Sequence, residues 1–308
     1  MANILLIVNP ASGKYKEEKV EKIKSIIEGN GHNITIAKTN SAGHGEILAK
    51  NATEEVVIAC GGDGIINEVA RGLYGTKKHF YAIPLGTANV FCQEYGIGKN
   101  PYKAARKLNV NNSHKISAGF VQDKFFLLMV GFGFDAHIVK KVVEGIKFPV
   151  FLKKTVHVAQ SLPSLLKDKY PKLKLYCNDE VIPVYHVIFS LIEKYAGNYK
   201  LGDINRKKIN AFYITKEGML SIAQSFAPLF LKQGFRGEFS QSESFKIEGA
   251  QICQIDGEFI KLDNGPVNIT YIENAINFLM PKYINQDNIL TDQIQKMIYK
   301  VKSLSFIK

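Results

Sequence analysis

Apolar residues in the first third of the chain fall into two alternating rhythms. Residues 4–8, 33–39, 56–60 and 80–85 are short runs rich in β-branched and aromatic side chains, which predict strands. The run at 56–60 carries no polar alternation, so it predicts a strand buried on both faces. Between these runs, apolar positions three and four apart predict helices at about 17–28, 45–52, 65–73 and 90–95, the first closed by Gly29 and Gly31. Strand and helix in this order predict a doubly wound α/β sheet of parallel strands. From about residue 114 the rhythm becomes strand and tight turn. Strands are predicted at 116–121, 125–130, 173–177, 181–184, 186–191, 209–214, 244–247, 253–255, 259–262 and 267–272. This is the pattern of an all-β sandwich. The predicted division is an α/β domain over 1–113 and a β-sandwich domain over 114–282. An amphipathic tail over 283–308 is expected to pack back on the first domain.

Ligands of parallel sheets bind at the carboxyl ends of the strands, and three polar or glycine-rich turns follow strands here: 9–13, 61–64 and 86–89. Gly61-Gly62-Asp63-Gly64 joins a strand to a helix. The first N–H groups of a helix are unpaired and its dipole is positive there, so an anion is favoured where glycines leave room for it. Asp63 would repel a bare phosphate. Its place is best explained by a divalent cation bridging carboxylate and phosphate, which points to a nucleotide with magnesium.

The composition adds limits. With 308 residues, 46% hydrophobic and 22% charged, the chain is an ordinary globular sequence long enough for two domains. No apolar run approaches the length of a membrane span, and residues 1–3 lack a signal-peptide pattern, so a cytoplasmic protein is expected. Cys60, Cys92, Cys177 and Cys253 are scattered, which predicts buried thiols rather than a metal site. The net charge of +12 predicts an anionic partner. Nine lysines between 140 and 174 face only Glu144 and Asp168, interleaved with apolar residues. That stretch suits either an anionic membrane surface or a solvated helix face. Nucleic acid is not expected, since no basic stripe with stacking aromatics stands out. A homodimer is compatible with the sequence.

Six motifs together resemble the diacylglycerol kinase and sphingosine kinase family of lipid kinases. They are Asn9-Pro10-Ala11-Ser12-Gly13-Lys14, Thr39 with Gly43-His44, Gly61-Gly62-Asp63-Gly64 with Asn67-Glu68, Pro84-Leu85-Gly86-Thr87-Ala88-Asn89, Gly131-Phe132-Gly133-Phe134-Asp135-Ala136, and Asp256-Gly257-Glu258. The resemblance implies an active site in the cleft between the two domains, ATP and Mg²⁺ as cofactors, and a lipid substrate. It implies nucleotide contacts from Asn9, Ser12, Gly13, Lys14, Thr39, His44, Gly61, Gly62, Gly64, Glu68, Thr87 and Asn89. It implies catalytic roles for Asp63, Asp256 and Glu258, and a metal role for Asp63. Phosphoryl transfer needs a carboxylate to accept the hydroxyl proton, and Asp256 is the expected base.

Two departures from the family pattern stand out. Ile65 replaces the usual threonine, removing a hydroxyl from the helix start, and weaker nucleotide binding is expected. The segment after Tyr195 keeps only Asp203 as a ligand for the structural magnesium of bacterial relatives, with Lys200, Lys207 and Lys208 nearby as substitutes for its charge. Plain structural readings stay open for several residues: a turn dipeptide at Asp256-Gly257, a helix cap at Thr87 and Asn89, a helix start at His44, and a buried structural acid at Asp135. Diacylglycerol is the default acceptor. An NAD kinase-like enzyme with a similar glycine loop and a binding protein without catalysis are the alternatives.

Overall fold

The structure, a computed structural model, describes residues 1–143, 170–195, 199–231 and 233–282. Strands β1 (Asn3–Val8), β2 (Asn33–Lys38), β3 (Val56–Gly61) and β4 (His79–Pro84) alternate with helices α1 (Glu17–Gly29), α2 (His44–Lys50), α3 (Asp63–Leu73) and α4 (Val90–Glu94). The strands lie in the parallel order β2-β1-β3-β4. All six residues of β3 are buried, as its uninterrupted apolar run requires. Helix α3 buries Ile65, Ile66, Val69, Ala70 and Leu73, the stripe that its 3.6-residue period places on one side. Helix α5 (Pro101–Lys107) was not expected, although its start is written in the sequence. Asn100 caps it, accepting from the N–H groups of Tyr102 and Lys103 at 3.0 Å, and Pro101 follows at the first position.

The remainder is mostly antiparallel. It comprises β5 (Ser113–Val121), β6 (Lys124–Phe126), β7 (Met129–Gly133), α6 (Phe134–Val143), β8 (Leu173–Cys177), β9 (Glu180–Val184), β10 (His186–Ser190), β11 (Lys194–Tyr195), β12 (Tyr199–Lys200) and β13 (Ile209–Ile214). Helix α7 (Met219–Phe230) and strands β14 (Glu238–Ser242), β15 (Ser244–Glu248), β16 (Ile252–Ile255), β17 (Glu258–Lys261) and β18 (Val267–Leu279) complete it. Six strands form a sheet in the order β14-β13-β10-β7-β16-β17. It packs against the antiparallel end of the larger, ten-stranded sheet, with Phe189 and Phe245 meeting across the gap at 5.0 Å.

Besides α5, helices α6 and α7 and strands β11, β12 and β14 were not expected, and two predicted strands differ in extent. The strand read as 125–130 is two, broken at Leu127 and Leu128, whose N–H groups are taken by a distant side chain described below. Strand β18 is more than twice its predicted length: an irregularity between Ile272 and Ile276 carries it past the polar residues that ended the apolar pattern. Its far end pairs in parallel with β4, and Phe278 enters the first lobe's core beside Phe80, Phe91 and Tyr95. The larger sheet therefore runs through both lobes. Helix α7 was unexpected, although Ser221, Gln224 and Ser225 stand at helical spacing among its apolar residues. The basic stretch over 144–169 and the tail over 283–308 lie outside the described residues.

Candidate active site

The strand order changes direction between β1 and β3, which opens a crevice at their carboxyl ends. Three loops line it. In the first, Asn9 accepts from the N–H of Ala11 at 2.8 Å, and the N–H of Lys14 donates to the carbonyl of Leu85 at 3.1 Å. In the third, the buried Asn89 has a left-handed backbone and closes the loop on Gly86 with two bonds of 2.9 Å. A Cβ on Gly86 would lie 2.4 Å from the Cα of Gly62, so the second and third loops touch backbone to backbone. A Cβ on Gly61 would lie 2.8 Å from the Ser12 Oγ, which is enclosed and has no hydrogen-bond partner. Gly13 faces the exposed Thr87 across 3.5 Å. Gly62 starts α3 with no side-chain cap, so the first N–H groups of that helix stay available to an anion.

The acids of this lobe point at neighbouring loops. Each oxygen of Asp63 accepts one bond of 3.0 Å, from the N–H groups of Val90 and Phe91, so the carboxylate caps α4. Burial pushes its pKa upward against the pull of those donors. Glu68 likewise accepts from Gly43 and Gly45 at 2.9 Å and caps α2. It thereby supports a nucleotide loop instead of facing it. His44 starts α2 and accepts the N–H of Asn40 on Nδ1 at 3.2 Å. Thr39 follows β2 and donates its N–H to Val8 at 2.9 Å, which holds it beside the end of β1.

Ile65 is buried beneath the glycine loop. It is 3% exposed, and Cβ atoms on Gly45 and Gly61 would meet it at 2.3 and 2.4 Å. Its side chain fills the seam between α2 and β3, and its Cγ2 meets the same point beside Gly61 as the Ser12 Oγ.

From the second lobe, Asp256-Gly257 forms the two-residue turn between β16 and β17, with left-handed φ values of 49° and 91°. The Asp256 carboxylate accepts four bonds: from the N–H groups of Leu127 (2.8 Å), Leu128 (2.9 Å) and Met129 (2.9 Å), and from Asn67 Nδ2 (2.7 Å). Asn67 lies one turn along α3 from Asp63, so this residue ties the hairpin to the helix behind the glycine loop. Burial raises its pKa to about 6 despite the donors. All its ordinary acceptor directions are engaged, which disfavours the base role expected for it. Glu258 is different: it is exposed, and its Oε1 lies 3.3 Å from where a Gly64 Cβ would stand, over the first turn of α3.

Behind the turn, Gln254 accepts the Gly257 N–H at 2.8 Å and donates to Asp135 at 2.7 Å. Asp135 is 5% exposed, also accepts from the Tyr195 hydroxyl at 2.6 Å, and has its pKa raised by burial. Gln254 and Asn67 were absent from the sequence-based site. Asn67 lies within a quoted motif, but nothing along the chain marked Gln254.

Asp203 lies apart from the crevice residues, 98% exposed and paired with Lys200 at 2.7 Å. Lys200 also reaches Glu193 at 3.4 Å, standing between two carboxylates where an ion was considered. Among the described residues no group of three His, Cys, Asp or Glu could hold a metal. The residues do not fit a second, structural magnesium. A Mg²⁺ carried in by a triphosphate would need few protein ligands, because it keeps waters and phosphate oxygens, and Asp63 is the acid of the glycine loop that would stand near it.

A glycine-rich anion site on a parallel sheet, closed by a carboxylate hairpin from a β lobe, defines a phosphoryl-transfer class of site. Residues 3–121 match the family model "Diacylglycerol kinase catalytic domain". A probable lipid kinase (YegS-like) of Chromohalobacter salexigens is 32% identical over 149 residues, 46% of this chain and 47% of that protein. A Streptococcus pneumoniae serotype 4 protein, provisionally named a lipid kinase, is 24% identical over 299 residues, 92% of this chain and 99% of that one. The Bacillus subtilis diacylglycerol kinase is 30% identical over 43% of this chain and 46% of its own. The chain thus spans about half the length of two of these relatives. A provisionally assigned diacylglycerol kinase from Bacillus anthracis has the same fold, with a TM-score of 0.71 and 19% identity over 90% of this chain and 96% of that one. Residues 3–121 are thus similar to the diacylglycerol kinase catalytic domain, and the chain is similar in sequence to proteins named lipid kinases.

Proposed function

We propose that this protein is an ATP-dependent lipid kinase that transfers the γ-phosphate to a lipid hydroxyl, with diacylglycerol the first acceptor to test. The observation that carries the reading is Glu258, a carboxylate free of hydrogen bonds among the described residues, held over the uncapped start of α3. In this reading the N–H groups of 62–64 and the enclosed Ser12 hydroxyl hold phosphate oxygens, while Lys14 and Thr87 flank them. Magnesium supplies neutralisation of the triphosphate charge. Asp63 shapes the cradle by holding α4, and Asp256 holds the hairpin so that Glu258 meets the acceptor. Glu258 then accepts the hydroxyl proton as the oxygen attacks phosphorus.

The mostly antiparallel lobe is the expected seat of the lipid. Among the described residues no helix is long and apolar enough to cross a membrane, so substrate in a bilayer is reached from its surface. The test is incubation with γ-labelled ATP, Mg²⁺ and a total lipid extract. Label in an organic-soluble phospholipid, absent with Glu258→Gln, supports the reading. Label in water-soluble product alone, or none at all, refutes it.

A further inference from the structure

Helix α4 is the shortest helix of the first lobe and is gripped at both ends. Asp63 holds its first turn, and Val90, Phe91 and Cys92 bury its body. At its last residue, the Glu94 side chain is only 1% exposed and reaches out of the first lobe. Arg206 Nη2 donates to its Oε1 at 2.6 Å, and the N–H groups of Glu193 and Lys194 donate to its two oxygens at 3.3 Å. Lys194 Nζ adds a bond to the carbonyl of Gln93. Arg206 is itself placed from behind: the Tyr271 hydroxyl donates to its carbonyl at 2.9 Å, and Tyr271 belongs to β18, the strand shared by both lobes. A carboxylate this enclosed requires its cation, since burial without a partner is costly.

We infer that Glu94 and Arg206 form a latch between the lobes, making Arg206 a positioning residue for transfer. The latch fixes Glu193, Lys194 and Arg206 of the acceptor lobe against the helix that Asp63 anchors to the glycine loop. It contributes nothing to the cradle itself, which is built wholly from first-lobe residues. This rests on the kinase reading for its kinetic consequence and on geometry alone for its mechanical one.

Both parts are tested with the full chain. In Arg206→Ala, kcat for lipid phosphorylation should fall about tenfold, the scale of ordinary coupling between sites, while ATP KM and ATP affinity stay within twofold. Because one Nη carries the contact, Arg206→Lys should restore most of the rate. Amide exchange at Glu193 and Lys194 should quicken in Arg206→Ala and not in Arg206→Lys. An unchanged kcat, a parallel collapse of ATP binding, or no rescue by lysine overturns the positioning role. If the wild-type protein phosphorylates no lipid, the kinase reading fails. The latch is then judged on exchange alone, where unchanged protection at Glu193 and Lys194 overturns it.

Discussion

Replacing Asp256 by asparagine separates a clasp from a base. The carboxylate accepts four N–H donors, two on each oxygen. An asparagine keeps one acceptor oxygen and turns an NH₂ group toward the other pair, so two enclosed donors lose their acceptor. At about 1–3 kcal/mol for each unsatisfied group, the cost is about 4 kcal/mol. That is a large share of the about 5–15 kcal/mol that stabilises a domain, and it lowers Tm by about 10 °C. The matching variant is Glu258→Gln, whose side chain is exposed and bonded to none of the described residues, so its Tm stays within about 1 °C of wild type. Thermal denaturation monitored by circular dichroism, together with lipid phosphorylation, distinguishes the two. Asp256→Asn should be unstable, and its residual folded fraction should keep measurable turnover; Glu258→Gln should be stable and inactive. The reasoning is refuted if Asp256→Asn melts with wild-type Tm while losing all transfer, since that is how a catalytic base behaves.

Three further outcomes follow from the packing and the buried charges. Gly86→Ala places a methyl 2.4 Å from the Gly62 Cα, so the two glycine loops must part; ATP-induced thermal stabilisation should vanish, and its retention would refute the contact. Ile65→Thr should cost about 1–3 kcal/mol by removing a buried methyl group and placing a hydroxyl in a mostly apolar seam, read as a lower midpoint of denaturant unfolding; an unchanged midpoint would refute the packing. His186 is 0% exposed and burial lowers its pKa from 6.5 to about 3. It folds as the neutral ring, so its contribution is complete above the unfolded pKa. The contribution is lost as pH falls from about 6.5 toward 3, by about 1.4 kcal/mol per unit. Denaturant unfolding at pH 7, 5 and 4 should show this slope, and His186→Leu should flatten it by one proton.

The parallel lobe was legible, α5 apart, because its strands and its other helices each satisfy their own pattern. A β-branched run such as 56–60 has one comfortable fate, and the Ile65 to Leu73 spacing has another. Where legibility failed, the cause lay outside the local chain. Nothing within 124–133 announces a break at Leu127 and Leu128, because the acceptor that draws their N–H groups out of a ladder is Asp256, more than a hundred residues away. The continuation of β18 passed through Glu273 and Asn274, a polar pair that reads as a turn until a neighbouring lobe supplies the pairing partner.

The site shows the same division between residue type and residue partner. Glycine positions translated directly, because a missing Cβ is a property of the residue and a close approach is what it permits. Carboxylates did not, because an acid beside a phosphate site has two uses that the sequence writes alike. It can face the ligand, where its charge must be offset by metal or proton, or it can turn away and hold N–H groups of an adjoining loop. Asp63, Glu68 and Asp256 each point their oxygens at backbone donors, on α4, on α2 and on the break after β6. That choice turns three negative charges toward backbone donors and uses them to tie the loops together. It leaves Glu258, over Gly64, as the motif carboxylate with its lone pairs free, and proton abstraction requires that freedom.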